Sequence, residues 1–346
     1  MKSSKFILLV LLAVVPISTI ISSSIGAADI DSMEILSVMA KRILALDVEV
    51  KPQTEAIIWN IRLPRVLMSI LVGASLALCG AAMQGLFRNP LADPSILGVS
   101  SSAALTTSIT IVLLGPYMLS WQESLGLPIL PLSSFIGATA SIYLIFALAR
   151  SHGKIQVATM LLGGIAINAL AGAGIGLLTY MADDAQLRSL TFWTLGSLGG
   201  INWTQVGLMT VVLTLGLLIV LPLAKNLNAL SLGESEARYL GSPIESLKLK
   251  IVLVTGLCTG VAVALCGVIG FVGLVVPHIL RLVGGGQHQF LLPASALAGG
   301  ILLCWADAFA RVIVAPAELP IGVLTALAGS PVFLILLLQR QKTGYA

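Results

Sequence analysis

The sequence predicts an all-α fold, a polytopic transmembrane bundle of about ten helices forming one domain over residues 1–346. Three observations predict it. Only 10% of the 346 residues are charged while 57% are apolar, where a soluble domain has roughly 25% charged residues. The apolar residues fall in continuous runs of roughly 20, the length of a spanning helix. No segment shows the polar–apolar alternation of a membrane β-barrel.

The runs are read at 5–25, 63–85, 96–115, 127–149, 156–181, 203–223, 248–267, 269–284, 291–315 and 320–338. The first follows Lys2 and Lys5 and precedes Ile25-Gly26-Ala27-Ala28, which resembles a cleavage region. Its apolar stretch is longer than a signal peptide's usual 7–15 residues, so a retained first helix is expected. The eighth run is short and holds Pro277 and His278. A broken or re-entrant helix is expected there, tolerable where protein surrounds it.

With the N-terminus inside and ten alternating spans, 12 of the 19 basic residues fall on the inner side and 7 on the outer. That bias places both termini in the cytoplasm. Five of the outer group (Lys41, Arg42, Lys51, Arg62 and Arg65) cluster between the first two spans and call for a separate explanation.

Few residues could carry chemistry. Cys79, Cys258, Cys266 and Cys304 lie inside apolar runs without metal-ligand spacing and read as small core residues. Asp307 and Arg311 lie four apart in the ninth run and share one helical face, so they can pair. His278 reads as a packing residue. No metal site, catalytic nucleophile or HExxH motif appears, and no catalytic residue is assigned. GxxxxGK[ST] is also missing, so the chain offers no phosphate loop for ATP. An ion-coupled secondary carrier would need intramembrane carboxylates or unwound ion sites, and the sequence offers a single deep carboxylate, already near a partner, which counts against that class. A sensor or scaffold would show no flux. The net charge of +4 suggests no nucleic-acid partner.

The fifth run carries Gly163, Gly164, Gly172, Gly174 and Gly176. They read either as close helix packing or as a wall leaving room for a bulky substrate. The longest inner loop, about 225–247, reads as a docking element for an energy-supplying partner. Ser231 is expected to cap a short helix with Glu234 at the capping-box position. Gly241 is expected to end that helix, with Pro243 preventing continuation. Leu232, Ala237 and Leu240 are expected to form its docking face.

Arg62-Leu63-Pro64-Arg65, Gly73-Ala74-Ser75-Leu76-Ala77, Gln84, Asn89-Pro90-Leu91-Ala92-Asp93-Pro94 and Leu97-Gly98 resemble the permease subunits of iron-siderophore, haem and vitamin B12 ABC importers, the FecCD-type or type II importers. The resemblance continues through Gly233-Glu234, Ala237, Leu240-Gly241, Gly270-Phe271-Val272-Gly273-Leu274, Pro277-His278-Ile279-Leu280-Arg281, Ala306-Asp307 with Arg311, Glu318-Leu319-Pro320-Ile321-Gly322 and Gly329-Ser330-Pro331-Val332-Phe333. It implies a bacterial inner-membrane permease domain that pairs with a second copy of itself in membrane lipid. Two ABC ATPase subunits would dock on one side and a periplasmic or lipoprotein substrate-binding protein on the other. The chain itself would bind no cofactor, ATP and Mg being held by the partner ATPase. Arg62, Arg65 and Arg311 resemble the arginines that meet the binding protein's carboxylates. Gly233, Glu234, Ala237, Arg238, Leu240 and Gly241 resemble the ATPase-coupling segment, and Asn89, Pro90 and Leu91 the cytoplasmic gate. The segment Leu187–Trp193 with Gly196–Gly200 looks most like haem-importing members, with ferric siderophores next and cobalamin third.

Overall fold

A computed structural model describes residues 2–26, 30–118, 128–151, 154–315 and 317–342. Among them, seven helices are long and apolar enough to cross a membrane and three more are shorter and apolar. Together they coincide with the ten runs read from the sequence. Ala27 and Ala28, and the first residue of the fourth run, lie outside the described residues.

The helices are α1 (Lys2–Ser24), α2 (Ser32–Ile43), α3 (Pro52–Ile57), α4 (Leu63–Leu86), α5 (Val99–Val112), α6 (Ile129–Ala149), α7 (Val157–Met181), α8 (Asp184–Thr194), α9 (Trp203–Val220), α10 (Ala224–Leu230), α11 (Glu234–Tyr239), α12 (Ile244–Cys266), α13 (Val272–Gly284), α14 (His288–Ala310) and α15 (Ile321–Lys342). Between α6 and α7, Arg150–Ser151 pairs antiparallel with Lys154–Ile155.

The second span starts earlier than the sequence suggests. A π-turn at Ile58–Arg62 fuses α3 to α4, giving a continuous helical rod over Pro52–Leu86. Pro64 lies at the start of α4. It has no N–H to return to the preceding turn, and the Leu63 N–H bonds instead to the Ile58 carbonyl, five residues back.

α4 is the core of the bundle. Its small residues let neighbouring backbones approach. A Cβ on Gly73 would overlap the Gly299 carbonyl, and one on Gly80 would overlap that of Gly273. α14 runs antiparallel along it, so Arg65 near the start of α4 meets Asp307 near the end of α14, and Gly85 meets His288 at the opposite end. The four cysteines are buried and unbridged.

The expected break before the eighth span is present. Gly267 and Phe271 both have positive φ, at 71° and 67°, which turns the chain between α12 and α13. α13 has 13 residues, about 20 Å, too short to cross a hydrocarbon layer of about 30 Å. His278 is half-buried within it.

α1 joins the bundle through α14. The Trp305 indole N–H donates to Ser18 Oγ at 3.1 Å, and Arg311 bonds to Ser22. α2 is amphipathic: Ile35 and Val38 pack with Ile58 and Leu63.

Candidate functional site

The chemistry-bearing residues gather at the two ends of the bundle. At one end, α4 supplies Arg65, α14 supplies Asp307, and the loop before α15 supplies Glu318. The Arg65 guanidinium donates to Asp307 through Nε at 3.0 Å and Nη2 at 2.9 Å. Its Nη1 donates to both Glu318 oxygens, at 2.8 and 2.9 Å. Asp307 is 1% exposed, and its second oxygen pairs with Arg311 Nε at 3.1 Å. The expected Asp307–Arg311 pair therefore forms, but as one arm of a network that includes Arg65 and Glu318. A buried carboxylate needs such saturation, because an unpaired one would be costly.

Arg65, Asp307 and Glu318 open on a cavity of about 220 Å³ lined also by Phe192, Gly196, Ser197, Leu198, Leu319, Pro320 and Ile321. The segment singled out for substrate class thus borders the Arg65 network. Its geometry is local. Asp183 and Gln186 make a reciprocal capping box at the start of α8, and Gly196 and Gly200 end the segment with φ of 72° and 73°.

The three arginines expected to dock a partner are not equivalent. Arg62 is buried and donates to the Ser23 and Ser24 carbonyls at 2.8 and 2.9 Å. Arg311 is buried and donates to the Ser22 carbonyl at 3.0 Å and the Ile25 carbonyl at 2.6 Å. Both cations bind the carbonyls at the C-terminus of α1, where a helix leaves acceptors unsatisfied and carries partial negative charge. Of the three, only Arg65 borders the cavity. The outer basic cluster is also partly neutralised: Lys41 and Arg42 both pair with Glu55, at 2.9 and 2.6 Å.

At the opposite end, α4 stops in a Schellman motif. The Asn89 N–H bonds to the Gln84 carbonyl at 3.1 Å and the Arg88 N–H to that of Gly85 at 3.3 Å, with Arg88 at φ 50°. The Asn89 side chain accepts from the Leu91 N–H at 3.0 Å, and the Asn89 carbonyl accepts from Ala92 at 3.1 Å. Pro90 fixes φ inside that turn. Asn89, Pro90 and Leu91 therefore form a rigid, solvent-accessible corner. Asp93 starts the next turn by accepting from the Ser95 N–H at 2.9 Å. Burial pushes its carboxyl up from the ordinary range, against the opposing effect of that hydrogen bond.

The inner loop holds α10 and α11. Gly233, at φ 134°, precedes α11. The expected Ser231 capping box does not form: Ser231 lies at the end of α10, and its hydroxyl donates to the Asn228 carbonyl at 2.6 Å. Glu234 pairs instead with Lys248 of α12 at 2.8 Å. Lys248 is buried and also donates to the Ile155 carbonyl at 2.9 Å. Arg238 pairs with Glu245 at 3.0 Å. Gly241, at φ 78°, ends α11, with the Ser242 N–H reaching back to the Ala237 carbonyl at 2.9 Å. Ala237 is fully buried and points into the bundle, not outward as expected. Leu232, Tyr239 and Leu240 are the exposed side chains, Tyr239 at 92%. Glu318 and Lys248 were given no role from the sequence; each acquires one from a neighbour distant in the chain, Arg65 and the Ile155 carbonyl, while Tyr239 stands out only by its exposure. Among the described residues, no group of three or more His, Cys, Asp or Glu side chains is arranged to hold a metal ion.

The profile of the FecCD transport family matches residues 11–339. The hemin transport system permease protein HmuU of Yersinia pestis is 47% identical over 290 residues, 82% of this chain and 84% of that protein. The vitamin B12 import system permease protein BtuC of Salmonella arizonae is 45% identical over 289 residues, 83% of this chain and 84% of that protein. A solved structure described as an inward-facing metal-chelate-type ABC transporter superposes with a TM-score of 0.82 at 32% identity, covering 97% of this chain and 99% of that one. With this span order and these comparisons along its length, the chain belongs to the FecCD transport family and is a membrane-embedded permease of the ABC importer type.

Proposed function

We propose that this permease carries haem into the cytoplasm, as one of two identical subunits that enclose the pathway. A binding protein delivers the cargo at the Arg65 end, and two ATPase subunits bound at the α11 end hydrolyse ATP with Mg. Both termini lie in the cytoplasm, and residues 1–346 act as one permease domain. The observation that carries the reading is the cavity in which Phe192 and Gly196–Leu198 meet the Arg65–Asp307–Glu318 network. It joins the segment resembling haem importers to a charged surface. The 47% identity with a hemin permease favours the same cargo.

Charge pairs at the rim of an interface steer and orient docking more than they set affinity. Arg65 meets the binding protein by exchanging half-exposed Glu318 for one of its carboxylates, while Arg62 and Arg311 hold α1 in place. On the other side, Leu232, Tyr239 and Leu240 enter the ATPase. The test is reconstitution with the partner ABC ATPase and a substrate-binding protein of the same importer. Hemin should stimulate ATP hydrolysis and enter proteoliposomes. Stimulation by a ferric siderophore or cobalamin alone would reassign the cargo. Uptake driven by a proton gradient without ATP would remove the ABC mechanism.

A further inference from the structure

We propose that the His288 ring is the rigid joint through which movement of α11 reaches the Asn89–Leu91 corner. The proposal rests on the reading of α11 as the ATPase contact. It begins from an incomplete helix end. The first turn of a helix leaves its N–H groups unsatisfied, and the side chain at the N-cap of α14, Gln287, makes no capping bond. Asn228 of α10 caps α14 across the bundle. Its Oδ1 accepts from the His288 backbone N–H at 2.9 Å and meets the ring Nδ1 at 2.7 Å. Its amide nitrogen donates to Gln289 Oε1.

Because Oδ1 only accepts, the Nδ1 of His288 carries a proton, and in the neutral ring Nε2 is the bare nitrogen. Nε2 is buried with no hydrogen-bond partner among the described residues. It faces Gly85, where a Cβ would overlap it and would also press on Leu227 of α10. The missing side chain at Gly85 is what admits the ring. The Gly85 carbonyl, with that of Gln84, receives the N–H bonds that shape the Asn89 corner.

Three elements thus meet at one ring: the end of α4 that leads into the corner, the start of α14, and α10. Ser231 fixes the far end of α10 by bonding back to the Asn228 carbonyl, and Gly233 follows as the connection to α11. Packed elements respond to a push by sliding as units instead of deforming. A displacement of α11 therefore carries Asn228, then His288, then Gly85. A cap that merely stabilised α14 would not need the ring buried against α4.

The test uses the full complex in proteoliposomes with hemin as cargo. His288→Leu keeps a similar volume and removes the ring's hydrogen bond; Asn228→Ala removes its partner; His288→Gln restores a donor at similar reach. Each is measured for ATPase copurification, melting temperature, hydrolysis rate, hemin moved per ATP, and labelling of Leu91→Cys in nucleotide-free and ATP-trapped states. His288→Leu and Asn228→Ala should assemble and hydrolyse ATP at about half the wild-type rate or better, yet move hemin per ATP about tenfold less well. Their nucleotide-dependent labelling should vanish, and His288→Gln should recover much of both. Normal hemin per ATP and normal labelling in assembled His288→Leu would overturn the joint, as would losses in strict proportion to melting temperature. If Leu240→Asp leaves ATPase copurification intact, the reading of α11 fails instead. If wild type moves no hemin, the cargo assignment fails while the labelling still tests the joint.

Discussion

Arg65 grips Asp307 from 242 positions away in the chain, with two of its nitrogens on one carboxylate oxygen. The carboxylate is almost wholly buried and has Arg311 on its other side. Removing one partner of a buried ion pair typically costs about 3–5 kcal/mol, because the other charge is left unpaired. Asp307→Ala takes the shared carboxylate from two arginines, but Arg65 keeps Glu318 and Arg311 keeps the α1 carbonyls, so the cost should fall at the lower end of that range. Loss of the monodisperse complex, or a melting temperature lowered by many degrees, is the expected result. An unchanged melting temperature would show that the network contributes nothing to folding.

Glu318 occupies the other face of Arg65 and is half-exposed. An exposed pair is worth about 0–1 kcal/mol, so Glu318→Gln should leave stability nearly unchanged. It should also free Arg65 for an incoming carboxylate. Association of the binding protein should therefore be as fast as wild type or a few-fold faster, while Arg65→Gln, compared in assembled protein because it also takes a partner from Asp307, slows it about tenfold at low salt. Association rates at two salt concentrations measure this. Slower association in Glu318→Gln would mean that Glu318 itself contacts the partner.

The inner loop separates docking from folding. Leu240 and Tyr239 project outward while Glu234 is tied to buried Lys248. Leu240→Asp should weaken ATPase association about tenfold, or ~1.4 kcal/mol, without altering the melting temperature of the isolated permease. Glu234→Arg should lower that melting temperature as well, because it sets a second cation against Lys248. Equal behaviour of the two variants in both assays would refute the division.

How much of this was legible follows from how far each contact reaches. The ten spans, their order and the short eighth helix are properties of local composition, so one sequence reveals them. Gly241 was legible for the same reason: its positive φ is a local demand. The Ser231 cap was misread because Gly233 breaks the chain first, and the supposed capping carboxylate found a stronger partner in Lys248. Arg62 and Arg311 look like surface cations until α1 is folded against α14, when its C-terminal carbonyls claim them. Asn228 and His288 are 60 positions apart, and nothing in either neighbourhood announces the other.

The Asn89 corner is held by two side-chain-to-backbone or backbone turns within four residues. If it forms the cytoplasmic gate, Asn89→Cys or Leu91→Cys should label at rates that differ between nucleotide-free and ATP-trapped complexes. Constant labelling in every state would move the gate elsewhere. Asn89→Ala removes one turn hydrogen bond, worth about 0.5–1.5 kcal/mol, and should raise hydrolysis uncoupled from transport more than it lowers stability.

The glycines of α7 run from packed to open, with Gly163 and Gly174 against leucine side chains between the extremes, and the extremes yield a test of the pathway. Gly164 is packed hard: a Cβ there would overlap the Ile96 carbonyl, in the turn that follows Asp93. Among the described residues, Gly172 and Gly176 have nothing within 4 Å of where a Cβ would stand. Close packing thus explains the first, while the open glycines leave the wide-pathway reading standing. Gly164→Val should reduce the yield of folded protein, since inserting bulk into a packed seam costs about 1–3 kcal/mol or more. Gly172→Phe and Gly176→Phe should fold and assemble normally. If the open face of α7 lines the passage, both should cut cargo transport several-fold while ATP hydrolysis continues. If that face meets lipid, transport will be unchanged; if it meets the second copy, the dimer will dissociate on sizing. Hydrolysis, transport and oligomeric state measured on the same preparations separate the three, and only the first outcome keeps α7 as a wall of the pathway.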